Sequence, residues 1–311
     1  MTSGVIQGSL LGPLLFSAFI WDLPQCFTHA DCSKYADDTK VFFNVSNVSD
    51  CVCLQNDINS LCNWCTNWGL DLNLEKCAVI SFTKKKNPLN YQYSLGGSNL
   101  VRITQVTDLG VILTPDLNFD SHISSAVARA LRLLGLIRRS CSREFSGATV
   151  RRLYLSLVRP MVEYASAVWS PHHANKVGRL ERVQRCFLNF YCYKSGIKYV
   201  PRNYIRNCLT TNLHTLKARR EIIDLMCFYK ILHSQFDCSS LLSEINISAP
   251  ARRTRLTNIF RPYSARVDVF KFDFLNRVQN CYNLLSQQKT ELDIFAMSVG
   301  QFKHSLLAIY K

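Results

Sequence analysis

The chain has 311 residues, 48% of them hydrophobic and 19% charged, with a formal net charge of +15 at pH 7. That apolar content excludes a disordered polar chain and can bury a substantial core, in one large domain or two smaller ones. The charge is uneven: residues 1–130 hold 8 Lys/Arg against 11 Asp/Glu, net −3, and residues 131–311 hold 29 against 11, net +18. A polyanion-binding surface, or alternatively a solvated basic face with no partner, therefore belongs to the second half.

In chain order, residues 9–23 read as a buried helix that follows a glycine-rich turn. Residues 33–45 read as a β-hairpin, with Tyr35-Ala36-Asp37-Asp38 on its tight turn and the apolar run Val41-Phe42-Phe43 after it. Residues 52–70 form an amphipathic helix in which Leu54, Ile58, Leu61, Cys65 and Trp68 recur at helical spacing. Cys77–Thr83, Tyr91–Leu95 and Val101–Val111 read as strands, separated by Lys84-Lys85-Lys86-Asn87-Pro88 and by Gly96-Gly97. Beyond about residue 115 the pattern turns helical. His122–Arg139 carries Ile123, Val127, Ala130, Leu134 and Ile137 on one face, and Val150–Trp169, Lys176–Tyr191 and Thr215–His233 follow. Charge and secondary structure both change near residues 115–130, the expected domain boundary.

The 14 cysteines would suggest disulfides in a short secreted chain, but no basic segment with a cleavable apolar core follows Met1. Free thiols and an intracellular location, nuclear or cytoplasmic, are expected. Cys51, Cys53, Cys62 and Cys65 can be read as a zinc site, or, for Cys65, as part of the buried stripe. Leu10–Trp21 has about half the length of a bilayer span and is interrupted by Gly12-Pro13, so no membrane segment is expected.

The chemistry concentrates at Asp37 and Asp38. Adjacent carboxylates repel unless a cation lies between or beside them, and hard divalent ions such as Mg²⁺ choose oxygen ligands. The other reading is an ordinary solvated turn.

The segment Ser3-Gly4-Val5-Ile6-Gln7-Gly8-Ser9-Leu10-Leu11-Gly12-Pro13, followed in order by Tyr35-Ala36-Asp37-Asp38, resembles the reverse transcriptases of Jockey-like non-LTR retrotransposons. That family usually has Pro where this chain has Ile6. Leu72-Asn73-Leu74-Glu75-Lys76-Cys77 matches its next motif, and Leu109-Gly110-Val111 with His122-Ile123 resembles the hairpin and thumb start that grip the primer. Leu153-Tyr154, Leu157-Val158-Arg159-Pro160, Val168-Trp169-Ser170-Pro171 and Val183-Gln184-Arg185 are similar to its thumb and post-thumb region. The likeness extends over roughly residues 3–235.

The resemblance implies an α+β fold: a partial right-hand polymerase palm of antiparallel sheet and helices over 1–115, a helical thumb and post-thumb region over 116–235, and a C-terminal helical region over 236–311. It implies two-metal nucleotidyl transfer from deoxynucleoside triphosphates to a DNA primer on an RNA template, with Mg²⁺ as cofactor. Asp37 and Asp38 would ligate metal, and Lys76 would assist the departing pyrophosphate, though a surface lysine explains it equally. Gly4, Gln7, Gly8 and Tyr35 would lie against template and incoming nucleotide, Gly4 and Gly8 because a Cβ would intrude. Ser9 would cap the following helix, a role open to it in any globular protein. Arg138, Arg139, Arg151, Arg152, Arg182 and Arg185 would meet phosphates of the duplex.

The family also places a third carboxylate on a palm strand upstream of the glycine-rich turn, with the fingers and an endonuclease beyond it. A chain starting at Met1-Thr2-Ser3 is expected to lack all three. Losing one bridging carboxylate costs several kcal/mol of transition-state stabilisation, and each 1.36 kcal/mol is about tenfold in rate. An inactive polymerase fragment is the first expectation, with uncovered apolar faces where the palm strand is absent. A catalytically silent basic nucleic-acid-binding protein, or a retrotransposon relic, is the alternative.

Overall fold

A computed structural model describes residues 8–141, 145–248, 258–288 and 292–310, an α+β arrangement in two compact units. Residues 1–106 with 114–116 make the first unit, and 107–113 with 117–311 the second.

In the first unit, helix α1 spans Gly12–Phe19, with Pro13 preset for a first turn and the Ser9 Oγ accepting the Gly12 N–H at 3.0 Å. Leu11 occupies the cap position itself, so Ser9 supports the turn before the helix without being its N-cap. The expected buried helix over 9–23 is also corrected. The α-helical span is shorter, none of its residues is fully buried, and Leu10 is 99% exposed. The helix carries apolar residues around its circumference, and among the described residues Phe16, with Ile20 and Leu23 beyond the helix, packs on Trp64 and Cys65 while Phe19 meets the Trp68 ring.

Strands β1 (Asp31–Tyr35) and β2 (Asp38–Phe42) pair antiparallel, Tyr35 opposite Asp38 and Asp31 opposite Phe42. Helix α2 (Val48–Trp68) starts at a capping box in which Asn47 and Asp50 satisfy each other's backbone N–H groups, and it ends at Gly69, whose φ of +65° a glycine adopts without the strain a Cβ brings. Cys51 and Ile58 pack against Tyr93 and Leu95 on one stretch of the helix, and Cys65 with Trp64 packs near α1. Cys51 and Cys65 lie fourteen positions apart on this one helix, ~21 Å of rise, too far to share a metal ion.

The three strands expected over 77–111 are broken into short pieces. They are β3 (Ala78–Val79), β4 (Ser94–Leu95), β5 (Ser98–Asn99), β6 (Val101–Arg102), β7 (Val106–Asp108) and β8 (Val111–Leu113). β4 and β5 form a hairpin through Gly96-Gly97, whereas β3 and β6 pair parallel, against the wholly antiparallel sheet that was expected. Among the described residues every sheet has two strands, so alternation in sequence here did not translate into long ladders.

In the second unit, β7 and β8 turn through Leu109-Gly110, both at positive φ, and the Tyr164 hydroxyl donates to the Leu109 carbonyl at 2.8 Å. Helix α3 (Asp120–Ser140) buries His122, Ile123, Ala126, Ala130, Leu134 and Ile137. After α4 (Gly147–Leu153), the expected continuous helix to Trp169 is interrupted. Pro160 has no N–H to donate and its ring crowds the carbonyl four residues back, so the chain widens to a π turn over Tyr154–Val158 and tightens to a 3₁₀ turn over Arg159–Val162. The short α5 (Ser166–Trp169) follows, then α6 (Ala174–Ser195), α7 (Tyr204–Thr210) and α8 (Leu216–Leu232).

Val158, Trp169, Leu180, Phe187 and Leu188 centre one core, to which α8 contributes Leu216. Further along, α8 contributes Leu225 and Phe228 to another core. That core is completed by Phe260 and by residues of α11 (Phe274–Gln288) and α12 (Val299–Ile309); the short α9 (Ser239–Ser243) and α10 (Asp268–Lys271) precede these two helices. Buried polar groups tie the layers. Gln184 accepts from the Tyr154 hydroxyl and donates to the Tyr204 hydroxyl and the His214 carbonyl, all at 2.9 Å. Glu181 caps the start of α8 by accepting the Leu216 and Lys217 N–H groups at 3.1 and 2.6 Å.

Candidate functional site

The acidic turn is a two-residue loop. With Tyr35 paired to Asp38, Ala36 and Asp37 are the loop positions, and Ala36 takes φ +52°. A non-glycine residue there carries a steric cost of about 1–2 kcal/mol. Asp37 and Asp38 are both exposed, and Tyr35 is 63% exposed. The hairpin thus presents two adjacent carboxylates and a phenol to solvent from one tight bend.

What holds the hairpin is a residue the sequence reading passed over. Asp57, only 2% exposed in the middle of α2, accepts the backbone N–H groups of Thr28, His29 and Ala30 at 3.0, 2.8 and 2.6 Å, fixing the segment that leads into β1. Burial pushes its carboxyl pKa up, and the three backbone donors outweigh that, holding it below the ordinary aspartate value. The signal in the sequence is an aspartate beside Ile58 on the buried side of an amphipathic helix. On β1, the Lys34 ammonium donates to the Ile20 carbonyl at 2.6 Å, tying the strand to the chain just beyond α1.

Gly4 and Gln7, with Ile6, lie outside the described residues. Gly8 has φ +85° and open space around the position a Cβ would occupy. Lys76 ends a 3₁₀ turn, Leu74–Lys76, and is exposed. Among the described residues no three His, Cys, Asp or Glu side chains converge into a metal site. Asp37 and Asp38 are hard oxygen donors of the kind divalent ions prefer, and they fit part but not all of a two-ion coordination set.

The six arginines separate into two kinds. Arg151 is half-buried and donates to the Thr211 and Asn212 carbonyls at 2.6 and 3.2 Å, holding the end of α7. Arg138, Arg139, Arg152, Arg182 and Arg185 are exposed. Arg138 lies over the Phe190 ring at 5.7 Å and Arg185 over the Tyr204 ring at 5.1 Å, which brings the end of α3 and the start of α7 to the surface of α6. His122 lies in the first turn of α3, the helix start expected for it, and is also buried, its Nδ1 accepting the Ile112 N–H at 3.2 Å and its ring 5.1 Å from Trp169.

Residues 1–121 match the family model of the reverse transcriptase (RNA-dependent DNA polymerase). The chain is 30% identical over 196 residues to a probable RNA-directed DNA polymerase from transposon BS of Drosophila melanogaster, covering 59% of this chain and 22% of that protein. It is 29% identical over 200 residues to the RNA-directed DNA polymerase from the mobile element jockey of the same fly, covering 58% and 21%. A probable polymerase from transposon X-element is 23% identical over 268 residues, 81% of this chain and 28% of that one. No solved structure matches.

By sequence, the chain is similar to the RNA-directed DNA polymerases of mobile elements, and its first 121 residues match the reverse transcriptase family model. It spans about a fifth of the length of the curated relatives it matches first. Among the described residues no helix is long and apolar enough to cross a membrane.

Proposed function

We propose that this chain is part of an RNA-directed DNA polymerase that extends a DNA primer on an RNA template from deoxynucleoside triphosphates. In this reading residues 1–115 are part of the palm, 116–235 the thumb and post-thumb region, and 236–311 a helical extension. The observation that carries it is the pair Asp37 and Asp38, adjacent on a two-residue turn whose lead-in is fixed by Asp57, within the segment that matches the family model. A rigid turn suits metal ligation because the carboxylates need little reordering to meet an ion.

Asp37 and Asp38 supply part of the coordination of Mg²⁺, the remaining ligands coming from outside the described residues. Asp37 and Asp38 would hold such ions only in part, and an ion bound there would supply electrostatic stabilisation of the charge that develops in the transfer. Lys76 places positive charge toward the departing pyrophosphate. Gly4, Gln7, Gly8 and Tyr35 border the template and the incoming nucleotide. With no third potential ligand converging on them among the described residues, this chain by itself does not sustain useful polymerisation.

Two measurements test this. Mn²⁺ added to ¹⁵N-labelled protein broadens the amide signals of residues 35–38 first, and Asp37→Asn with Asp38→Asn abolishes that. Broadening centred elsewhere removes the metal assignment. Template–primer extension with Mg²⁺ or Mn²⁺ gives no product from this chain, and robust incorporation lost in Asp37→Ala overturns the inactivity.

The excess of 29 Lys/Arg over 11 Asp/Glu in residues 131–311 favours a second reading, a catalytically silent nucleic-acid-binding protein. It requires binding that weakens steeply with salt and is indifferent to Asp37→Ala.

A further inference from the structure

Between Glu181 and Glu221 the chain runs 39 residues with nine Lys/Arg and no Asp/Glu. Three of the nine are used at the start of α8: Lys217 pairs with Glu221, Arg219 with Glu163, and Arg220 is buried. The rest fall on or beside α6 and α7. Arg182, Arg185, Asn189 and Tyr193 are all exposed, at steps of three, four and four residues, so they form one stripe ~16 Å long on α6. Tyr193 is 83% exposed, an unusual position for a ring of that size.

The start of α7 docks beside this stripe, with the Tyr204 hydroxyl donating to Glu181 and accepting from Gln184. Arg202, at φ +60°, and Arg206 add two exposed cations there. Among the described residues none of Arg182, Arg185, Arg202 and Arg206 forms an ion pair with a carboxylate. Glu181, the one acid on this stretch of α6, is buried and spent on the Tyr204 hydroxyl and the α8 cap. The face is therefore cationic with nothing in the described residues neutralising it, and it carries one open aromatic surface.

We propose that the α6–α7 face is a binding track for a single strand of nucleic acid, with Arg182, Arg185, Arg202 and Arg206 on phosphates and Tyr193 stacked on an unpaired base. Polyanion charge complements the four guanidiniums. The ring decides between strand types: in a duplex the base faces are covered by their neighbours, whereas a single strand offers each π-face for stacking. The inference rests on the nucleic-acid reading above and narrows it, assigning Arg182 and Arg185 to an unpaired strand in place of the duplex.

The test is fluorescence anisotropy of the full chain with a labelled 20-nucleotide single-stranded RNA, the same length of single-stranded DNA, and a blunt RNA duplex, across a salt series. Tyr193→Ala weakens single-strand binding by about 5- to 100-fold, leaves duplex binding and the salt slope unchanged, and Tyr193→Phe restores it. Arg182→Gln with Arg185→Gln reduces the single-strand salt slope by about 1.4. The RNA and DNA arms show whether the sugar is read. Unchanged single-strand affinity in Tyr193→Ala, or an equal loss for duplex, overturns the proposal while duplex binding keeps the broader reading alive. If the unaltered chain binds neither single strand nor duplex, both fail together.

Discussion

The carboxylate of Asp57 accepts the N–H of Ala30 at 2.6 Å, one residue before the strand that carries the acidic turn. A helix in the first unit thereby sets where a hairpin begins, through an anion bonded to three consecutive backbone donors.

Asp57→Ala is expected to cost about 2–3 kcal/mol locally, since charge-assisted bonds are the stronger kind and the buried Ala30 N–H is left without its acceptor. Amide exchange over residues 28–42 reads this directly. Because the folded-state pKa lies below the ordinary value, the stabilisation is present above that value and lost as pH falls through the folded one. Protection of residues 28–42 therefore declines at acid pH in the unaltered chain and stays flat in Asp57→Asn.

His122 gives the second unit its own acid sensitivity. Burial, then the charge of Arg129, hold its pKa below the ordinary 6.5, and an Nδ1 that accepts the Ile112 N–H has no room for a proton. The folded state disfavours the imidazolium, so stability is full above about pH 6.5 and falls as pH drops below it, by at most ~1.4 kcal/mol per pH unit. Thermal unfolding between pH 7 and pH 5 reports this, and His122→Asn flattens the dependence over that range.

A half-buried and a buried arginine, Arg277 and Arg220, call for different outcomes. Arg277 donates to Asp224 at 2.8 Å and to the Ala167 and Phe272 carbonyls at 2.9 and 3.0 Å, so Arg277→Met strands a buried carboxyl and costs about 3 kcal/mol or more. Arg220 is 1% exposed, and none of its side-chain nitrogens has a hydrogen-bond partner among the described residues. Arg220→Met breaks no hydrogen bond but removes a cation that acts on buried Asp224, so it is expected to cost less than Arg277→Met. Urea unfolding of the two variants side by side separates them, and a loss from Arg220→Met as large as that from Arg277→Met refutes that half.

Gln184 satisfies Tyr154, Tyr204 and the His214 carbonyl at once. Gln184→Leu keeps the volume and leaves those groups unpaired, an expected loss of about 3 kcal/mol, whereas Tyr154→Phe, which removes a single bond, costs about 1 kcal/mol. Denaturant midpoints measured at constant slope test the ratio.

The sequence by itself determined the elements whose signal is local. Turn chemistry around Tyr35-Ala36-Asp37-Asp38 and the 3.6-residue rhythm of Ile123, Ala130, Leu134 and Ile137 act within a few neighbours, and both the hairpin and α3 formed where that rhythm placed them. The order of motifs likewise carried the family, because motif order is a property of the chain alone. Tertiary structure decided what depends on partners far along the chain. The apolar run at Leu10–Leu15 looked like core and is exposed, since burial needs a second surface and among the described residues none covers Leu10, Leu11, Leu14 or Leu15. Arg151 and Arg182 read alike as cations on helices. Packing brought the Thr211 carbonyl, 60 residues away, to Arg151 and left Arg182 facing solvent, because a charge finds its partner only after the helices have docked.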